Sequence, residues 1–419
     1  MASRAEPRLG LRENLGQFSL LVLINAFVGA MVGMERTVLP LLAEREFGVA
    51  SRTSILSFLV TFGVVKALAN AFAGGAADRW GRRRVLLAGW LAAIPVPFLI
   101  MVAPTWGWVV AANILLGVNQ GLCWSAAIVM KVDLVGPRHR GLAIGLNESS
   151  GYLAVSVAAL ASGFLAARYG LRPMPFVIGI VAALGGLLAS LFARETREFA
   201  AMESAADGKE RRAPPSMRAV FGRVSWRDPS LRAVSQAGLV NNLNDGVSWG
   251  LLPLYFVSKG AGLEQAAILG AVYPGVWAVG QLVTGFLSDR HGPKWLMACG
   301  MALQGVALIA VAASDSFGPW LAGMVSLGIG TALVYPTFMG AVADHSDPSW
   351  RASAIGVYRL WRDLGYALGA LVAGGAADHF GISASVALVG VLTVGSGIVV
   401  AVSYSQQHQE PSSRNLSMP

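Results

Sequence analysis

Gly74–Arg84 reads GGAADRWGRRR, and Gly285–Trp295 reads GFLSDRHGPKW. Each stretch closes a long apolar run with a small residue, an aspartate, an arginine and a glycine in the same order. Only 13% of the 419 residues are charged and 55% are hydrophobic, against roughly 25% charged in soluble domains. Such a chain cannot hide its apolar surface from water, and its 50 glycines and 12 tryptophans fit closely packed helices anchored at lipid interfaces. Four arginines in one turn, Arg79, Arg82, Arg83 and Arg84, therefore read first as a topology signal. The net charge of +9 is confined to short links and makes no aromatic-interleaved basic face, so nucleic acid is not an expected partner. Cys123 and Cys299 lie in apolar segments and imply neither disulfide nor metal.

A helix needs about 20 mainly apolar residues to cross the hydrocarbon. Twelve segments qualify, near 16–41, 53–75, 85–103, 107–131, 141–165, 173–193, 232–258, 263–287, 295–314, 319–343, 352–376 and 383–404. With the N-terminus inside, four short inner links hold nine Arg or Lys, among them Arg138, Arg140 and Arg351, and six outer links hold five. The stretch Arg194–Arg232 adds nine more on the inner side. By the positive-inside rule both termini are expected in the cytoplasm. The division expected is 1–193 and 232–404 as two six-helix bundles, 194–231 as a cytoplasmic linker and 405–419 as a cytoplasmic tail.

The halves repeat at an offset of 211 residues, which carries Gly74 to Gly285, Asp78 to Asp289, Arg79 to Arg290, Gly81 to Gly292, Gly117 to Gly328, Asp133 to Asp344 and Arg140 to Arg351. A second period of 89 is nested inside it: GFLAARYG starts at Gly163 and GGAADHFG at Gly374. Those weaker copies fall on outer links. Inverted three-helix units nested in parallel six-helix halves give this pattern. The fold class expected is an all-α membrane protein of twelve transmembrane helices in two pseudo-symmetric bundles.

On Gly74, Asp78, Arg79, Gly81, Arg82 and Arg83, with the poorer copy Gly285, Asp289, Arg290, Gly292 and Lys294, the chain resembles the major facilitator superfamily over nearly its whole length. The resemblance implies a secondary transporter whose bundles rock about a central cavity. It also implies a gating latch. Asp78 would face the start of span eleven, where free N–H groups favour a carboxylate, and Arg82 or Arg83 would bridge to Asp133, with Arg290 or Lys294 reaching Asp344. These bonds are expected to form when the cytoplasmic side is shut and to break when it opens.

Ionisable groups inside spans cost several kcal/mol unless paired or hydrated, so each is a candidate site. Span eleven carries Arg359, Arg362, Asp363 and Tyr366 at helical spacing, and one aspartate cannot neutralise two arginines. Lys66 and Glu148 are the expected company, either as a charge network or in contact with substrate. Span seven carries Asn241, Asn244, Asp245 and Ser248 on one expected face, lining the cavity. Asp245 is the first choice for a proton carrier, the alternative being a permanently ionised partner of Arg36 or of an interface arginine. Asn25 and Arg36 of span one, Gln120 and Trp124 of span four, and Thr331 and Tyr335 of span ten complete the expected cavity, with Glu35 reaching the outer interface. Trp124 and Tyr335 are 211 apart and are expected to face each other.

Two departures stand out. Drug antiporters of this superfamily usually carry an arginine where GVNQG has Gly117, and a proline that span five lacks. The blocks in spans seven and eleven also resemble a permease group that includes metal exporters, yet all five histidines lie in loops or tails. No phosphate loop or paired nucleophile and base appears, so neither an enzyme nor an ATP-driven pump is expected. The expected function is proton-coupled efflux of a small solute by a monomer without cofactor in a bacterial-type inner membrane. The alternatives are a metal-cation exporter and a non-transporting sensor or scaffold.

Overall fold

The computed structural model describes residues 9–136, 140–199, 202, 215–347 and 350–405. Twelve long helices carry the fold, with no strand among the described residues. They are α1 (Leu15–Arg45, bent at Thr37), α2 (Ser57–Trp80), α3 (Arg82–Met101), α4 (Trp106–Val135), α5 (Arg140–Tyr169) and α6 (Met174–Leu191). The second half holds α7 (Pro229–Gly250, continued by Leu252–Ser258), α8 (Leu263–His291), α9 (Pro293–Ala312), α10 (Phe317–Asp344), α11 (Arg351–Phe380) and α12 (Ile382–Ser403). Ten of these are long and apolar enough to cross a membrane. The other two, α7 and α11, are those with the polar stripes, and nearly every residue of α7 is buried.

Packing follows the repeat. Within the first half α1 packs on α5 and α6, and α4 on α2 and α3; within the second α7 packs on α11 and α12, and α10 on α8 and α9. The halves meet through α5 against α8 and α2 against α11. Close approach depends on glycine: a methyl on Gly365 would overlap the Leu239 carbonyl of α7, and one on Gly29 the Gly151 carbonyl of α5.

The nested repeat is written in the backbone as well. Gly81, Gly170, Gly292 and Gly381 end α2, α5, α8 and α11 with φ of 100°, 91°, 79° and 83°, a conformation that glycine adopts without the steric cost of a side chain. Each N–H closes the last helical turn at 2.9–3.0 Å.

Contact between the halves is lopsided. On the face remote from the Arg79–Arg84 turn, Asp378 at the end of α11 accepts from Ser51 Oγ (2.9 Å), Arg52 N (2.5 Å), Thr53 N (3.1 Å) and Thr53 Oγ1 (2.7 Å), all at the one-turn helix Arg52–Ile55. Ser156 and Ser149 of α5 donate to the Ala271 and Ala278 carbonyls of α8 at 2.7 and 2.8 Å. Toward the arginine-rich face, beyond Asn70 with Asp363 and Ser125 with Arg359, the hydrogen bonds of Arg82 and Arg83 stay within the first half. In these contacts the halves are clasped on one face and not on the arginine-rich one.

Candidate functional site

The arginine turn is built around Arg82. Its Nε donates to Asp133 at the end of α4 (3.1 Å) and its Nη2 pairs with Asp78 at 3.2 Å. Glu195 accepts from the backbone N–H groups of Arg82 (3.0 Å) and Arg83 (3.2 Å), satisfying free donors at the start of α3. Thr196 donates to Asp133 at 2.6 Å. Of the two arginines expected to reach Asp133, Arg82 makes the bridge, while Arg83 Nη2 donates to the Leu191 carbonyl at 2.6 Å. The Arg82–Asp133 bond joins α3 to α4 within one bundle and does not itself link the two halves. Asp78 is 74% exposed and pairs with Arg82 of its own turn, not with the start of α11. Arg79 is exposed too. In the second half Lys294 lies over the Trp295 ring at 5.9 Å, and Asp344 is exposed and makes no ion pair with it. The side chains of Asp289 and Arg290 lie outside the described residues.

In the middle of the molecule one polar network crosses the bundle boundary at three helix pairs, α2 with α11, α5 with α10 and α4 with α11. Asp363, with no side-chain exposure, takes Arg362 Nη2 at 2.8 Å, Asn70 of α2 at 2.5 Å and Lys66 of α2 at 4.0 Å. Arg362 Nη1 donates to Tyr335 OH (2.8 Å), and Tyr335 donates to Glu148 Oε2 (3.0 Å). Trp124 Nε1 donates to the other oxygen of Glu148 at 2.7 Å. The symmetry-related Trp124 and Tyr335 therefore meet on one carboxylate, with the Tyr152 ring between them at 5.3 and 5.7 Å. Arg359 reaches the network more loosely, its Nη2 3.4 Å from Ser125 Oγ of α4. Lys131 closes the first-half end, donating to Asn147 Oδ1 (2.6 Å) and the Leu21 carbonyl (3.0 Å).

Asp245 of α7 stands apart from that network. Its Oδ1 accepts a short hydrogen bond from Tyr273 OH of α8. Its Oδ2 makes no hydrogen bond. Trp249 stacks on Tyr366 with centroids 5.7 Å apart, and Trp277 packs on Tyr152 at 3.5 Å and Tyr335 at 4.9 Å. Arg36 Cζ sits 4.6 Å from the Phe62 centroid and 4.7 Å from that of Trp249. No ion pair joins Arg36 to Asp245, so the alternative of a permanently paired Asp245 is not realised in this conformation.

Several expected cavity residues face elsewhere. Asn244 donates to Gln304 of α9 (3.0 Å) and accepts from Thr393 of α12 (2.7 Å), inside the second bundle. Asn244 and Asp245 are adjacent and so about 100° apart on α7, and here Asn244 turns to α9 and α12 while Asp245 turns to α8. Gln120 donates to the Val28 carbonyl (2.8 Å) and Asn119 (3.1 Å), tying α4 to α1. Asn25 donates to the Asn147 carbonyl (2.7 Å) with its Oδ1 unpartnered, and Thr331 Oγ1 lies 3.4 Å from Tyr273 OH. Glu35 does not reach an interface: it is fully buried and both its oxygens lack a hydrogen bond. The reading missed Tyr152, Trp277, Tyr273, Trp249 and Lys131. One signal was present, since Trp277 is 211 residues after Lys66.

A family model described as Major Facilitator Superfamily matches residues 21–236 and again 234–417. The chain belongs to the major facilitator superfamily. Among curated relatives of this superfamily member is Multidrug resistance protein MdtG of Enterobacter lignolyticus (strain SCF1), 26% identical over 369 residues, covering 85% of this chain and 84% of the relative. MdtG of Citrobacter koseri is 26% identical over 385 residues, 89% of each chain. Among solved structures a POT family transporter in complex with 5-aminolevulinic acid superposes with TM-score 0.76 at 13% identity, covering 94% of this chain and 97% of its own. The nucleoside transporter NupG gives 0.71 at 16% identity, covering 93% and 98%. These likenesses show the fold. The chain is a multi-pass membrane transporter of two six-helix bundles.

Proposed function

We propose that this superfamily member exports a small organic solute by alternating access in exchange for protons, with Asp245 as the proton carrier. The single observation that carries the reading is the setting of Asp245: fully buried where α7, α8 and α11 meet, one oxygen held by Tyr273 and the other without a partner. A carboxylate held this way can gain or lose a proton without dismantling an ion pair, whereas Asp363, with two cations and an amide on it, cannot. Export is the direction suggested by relatives named for multidrug resistance.

In this reading the arginine-rich face is cytoplasmic, as are both termini and the 194–231 linker, and the monomer sits in a bacterial-type inner membrane with its two bundles, 1–193 and 232–404, as the moving bodies. The conformation then opens to the cytoplasm. Gly74, Asp78, Arg79, Gly81, Arg82, Arg83 and Asp133, with Gly285, Asp289, Arg290, Lys294 and Asp344 in the second half, form the cytoplasmic gate. Its breakable part is Asp78 meeting α11, while Arg82–Asp133 stays made. The metal-cation alternative would require converging donors, and among the described residues no group of three or more His, Cys, Asp or Glu is placed to hold an ion.

The test is Asp245→Asn reconstituted in proteoliposomes. Uphill flux driven by an imposed proton gradient should be abolished, while solute exchange at equal pH on both sides persists. Proton-driven flux at the wild-type rate would dismiss Asp245 as carrier.

A further inference from the structure

Arg36 carries a demand that the chain does not meet. The side chain is 1% exposed, and Nε, Nη1 and Nη2 all lack a hydrogen-bond partner among the described residues. A guanidinium offers five N–H donors in a fixed fork. The rings of Phe62 and Trp249 answer its charge through their faces, but they accept none of its N–H groups. Burying an ion costs several kcal/mol unless its hydrogen bonds are replaced. Neither nearby acid replaces them: Glu35 is its chain neighbour, and consecutive side chains on a helix diverge by 100°, while Asp245 is bonded to Tyr273. The two rings come from different bundles, Phe62 from α2 and Trp249 from α7, so the unmet donors lie on the seam where a solute must pass.

The neighbouring buried charges leave Arg36 as the exception. Four basic side chains, Arg36, Lys66, Lys131 and Arg362, and four acidic ones, Glu35, Glu148, Asp245 and Asp363, are buried around the seam, with Arg359 half-buried beside them. Lys66, Arg362 and Lys131 have named oxygen partners, whereas Arg36 has only rings. We infer that Arg36 is the seat for an anionic head group on the transported solute, a carboxylate, sulfonate or phosphonate, whose flat apolar body lies against Trp249 and Tyr366. A two-oxygen anion matches the guanidinium fork and supplies the acceptors that Arg36 lacks. This rests on the transport reading and extends it to a substrate class.

The experiment measures binding, so that it can fail while transport stands. Purified full-length protein is titrated by calorimetry with three probes sharing one ring system: 2-naphthoate, neutral 2-naphthol and cationic 2-naphthylmethyl-trimethylammonium. Wild type should prefer 2-naphthoate to 2-naphthol by at least about tenfold. Arg36→Gln should lose that preference while keeping 2-naphthol, and Arg36→Lys, a point charge without the fork, should fall between. Removing an unsatisfied buried cation should leave the melting temperature of Arg36→Gln equal to or above wild type. Equal affinity for the three probes, preference for the cation, or 2-naphthoate binding unchanged in Arg36→Gln would each overturn the inference. So would an Arg36→Gln protein that melts below wild type and binds no probe, since that marks a structural role. If the anion preference is absent while Asp245→Asn still abolishes proton-driven flux, this inference falls alone.

Discussion

Asp363 and Asp245 show how two aspartates in neighbouring polar stripes acquire different work. Asp363 accepts from Arg362 and Asn70 and faces Lys66 with no exposure, so its loss strands two buried cations. Breaking one partner of a buried ion pair typically costs about 3–5 kcal/mol. Asp363→Asn should therefore lower the melting temperature of the purified protein markedly, and Lys66→Met in the same chain should recover part of it; an unchanged melting curve for the single variant would contradict the network. Asp245→Asn removes one hydrogen-bonded oxygen charge and should disturb stability far less. Helical spacing in the sequence was enough to place Asp363 among arginines and Asp245 on a polar face. It was not enough to separate Asp245 from Asn244, because adjacent residues differ by 100° and only the packing of α9 and α12 decides which of them turns inward to its own bundle. Nor does sequence reveal that Arg36 is without an acceptor, since that depends on where four other helices put their oxygens.

At the level of elements the fourth repeat copy, GGAADHFG at Gly374, does on the far face what was expected of Asp78 on the arginine-rich face: its aspartate crosses the bundle boundary to the free N–H groups of a helix start. Burial alone would raise the Asp378 carboxyl, but hydrogen bonds from Thr53, Arg52 N and Ser51 outweigh it and hold the group below the ordinary 3.8, at about 2. A depressed folded value means that the clasp is fully present above the ordinary carboxylate range and is lost only as pH falls through about 2. Its contribution to closure should be flat between about pH 5 and 8. Asp378→Ala removes every acceptor at once; at this exposed site about 1–2 kcal/mol is at stake, a roughly five- to thirtyfold shift in the closed-to-open ratio. Ser248→Cys in a Cys299→Ser background reports it. Labelling from outside by a membrane-impermeant maleimide should speed up several-fold in Asp378→Ala, and an unchanged rate would show that the clasp does not hold this face. The period of 89 was visible in the sequence, as was its placement on the links opposite the arginine-rich ones. That the weak copy is engaged and the strong one disengaged is a property of one conformation, which no single sequence pattern encodes.

For the whole molecule, most of the architecture was legible because it is written twice over: glycines 81, 170, 292 and 381 mark the same helix end in four units, and apolar length marks ten of the twelve spans. The remaining two, α7 and α11, were counted as spans as well, though their polar stripes depress their apolar character, and the repeat supports them. Joining the two proposals gives a prediction about energetics on this scale. If a monovalent anion leaves for each proton that enters, two elementary charges move in the direction favoured by an inside-negative potential. Each charge is worth about 2.3 kcal/mol per 100 mV, so two make the potential the larger driving force at ordinary membrane voltages, ahead of a pH difference of one unit at about 1.4 kcal/mol. Export of 2-naphthoate from proteoliposomes should therefore accelerate when valinomycin and a potassium gradient set the interior negative, even with equal pH on both sides, and should slow when the polarity is reversed. Export indifferent to voltage would mean that the charges on solute and carrier cancel within the cycle, and the pairing of an anion on Arg36 with a proton on Asp245 would have to be abandoned.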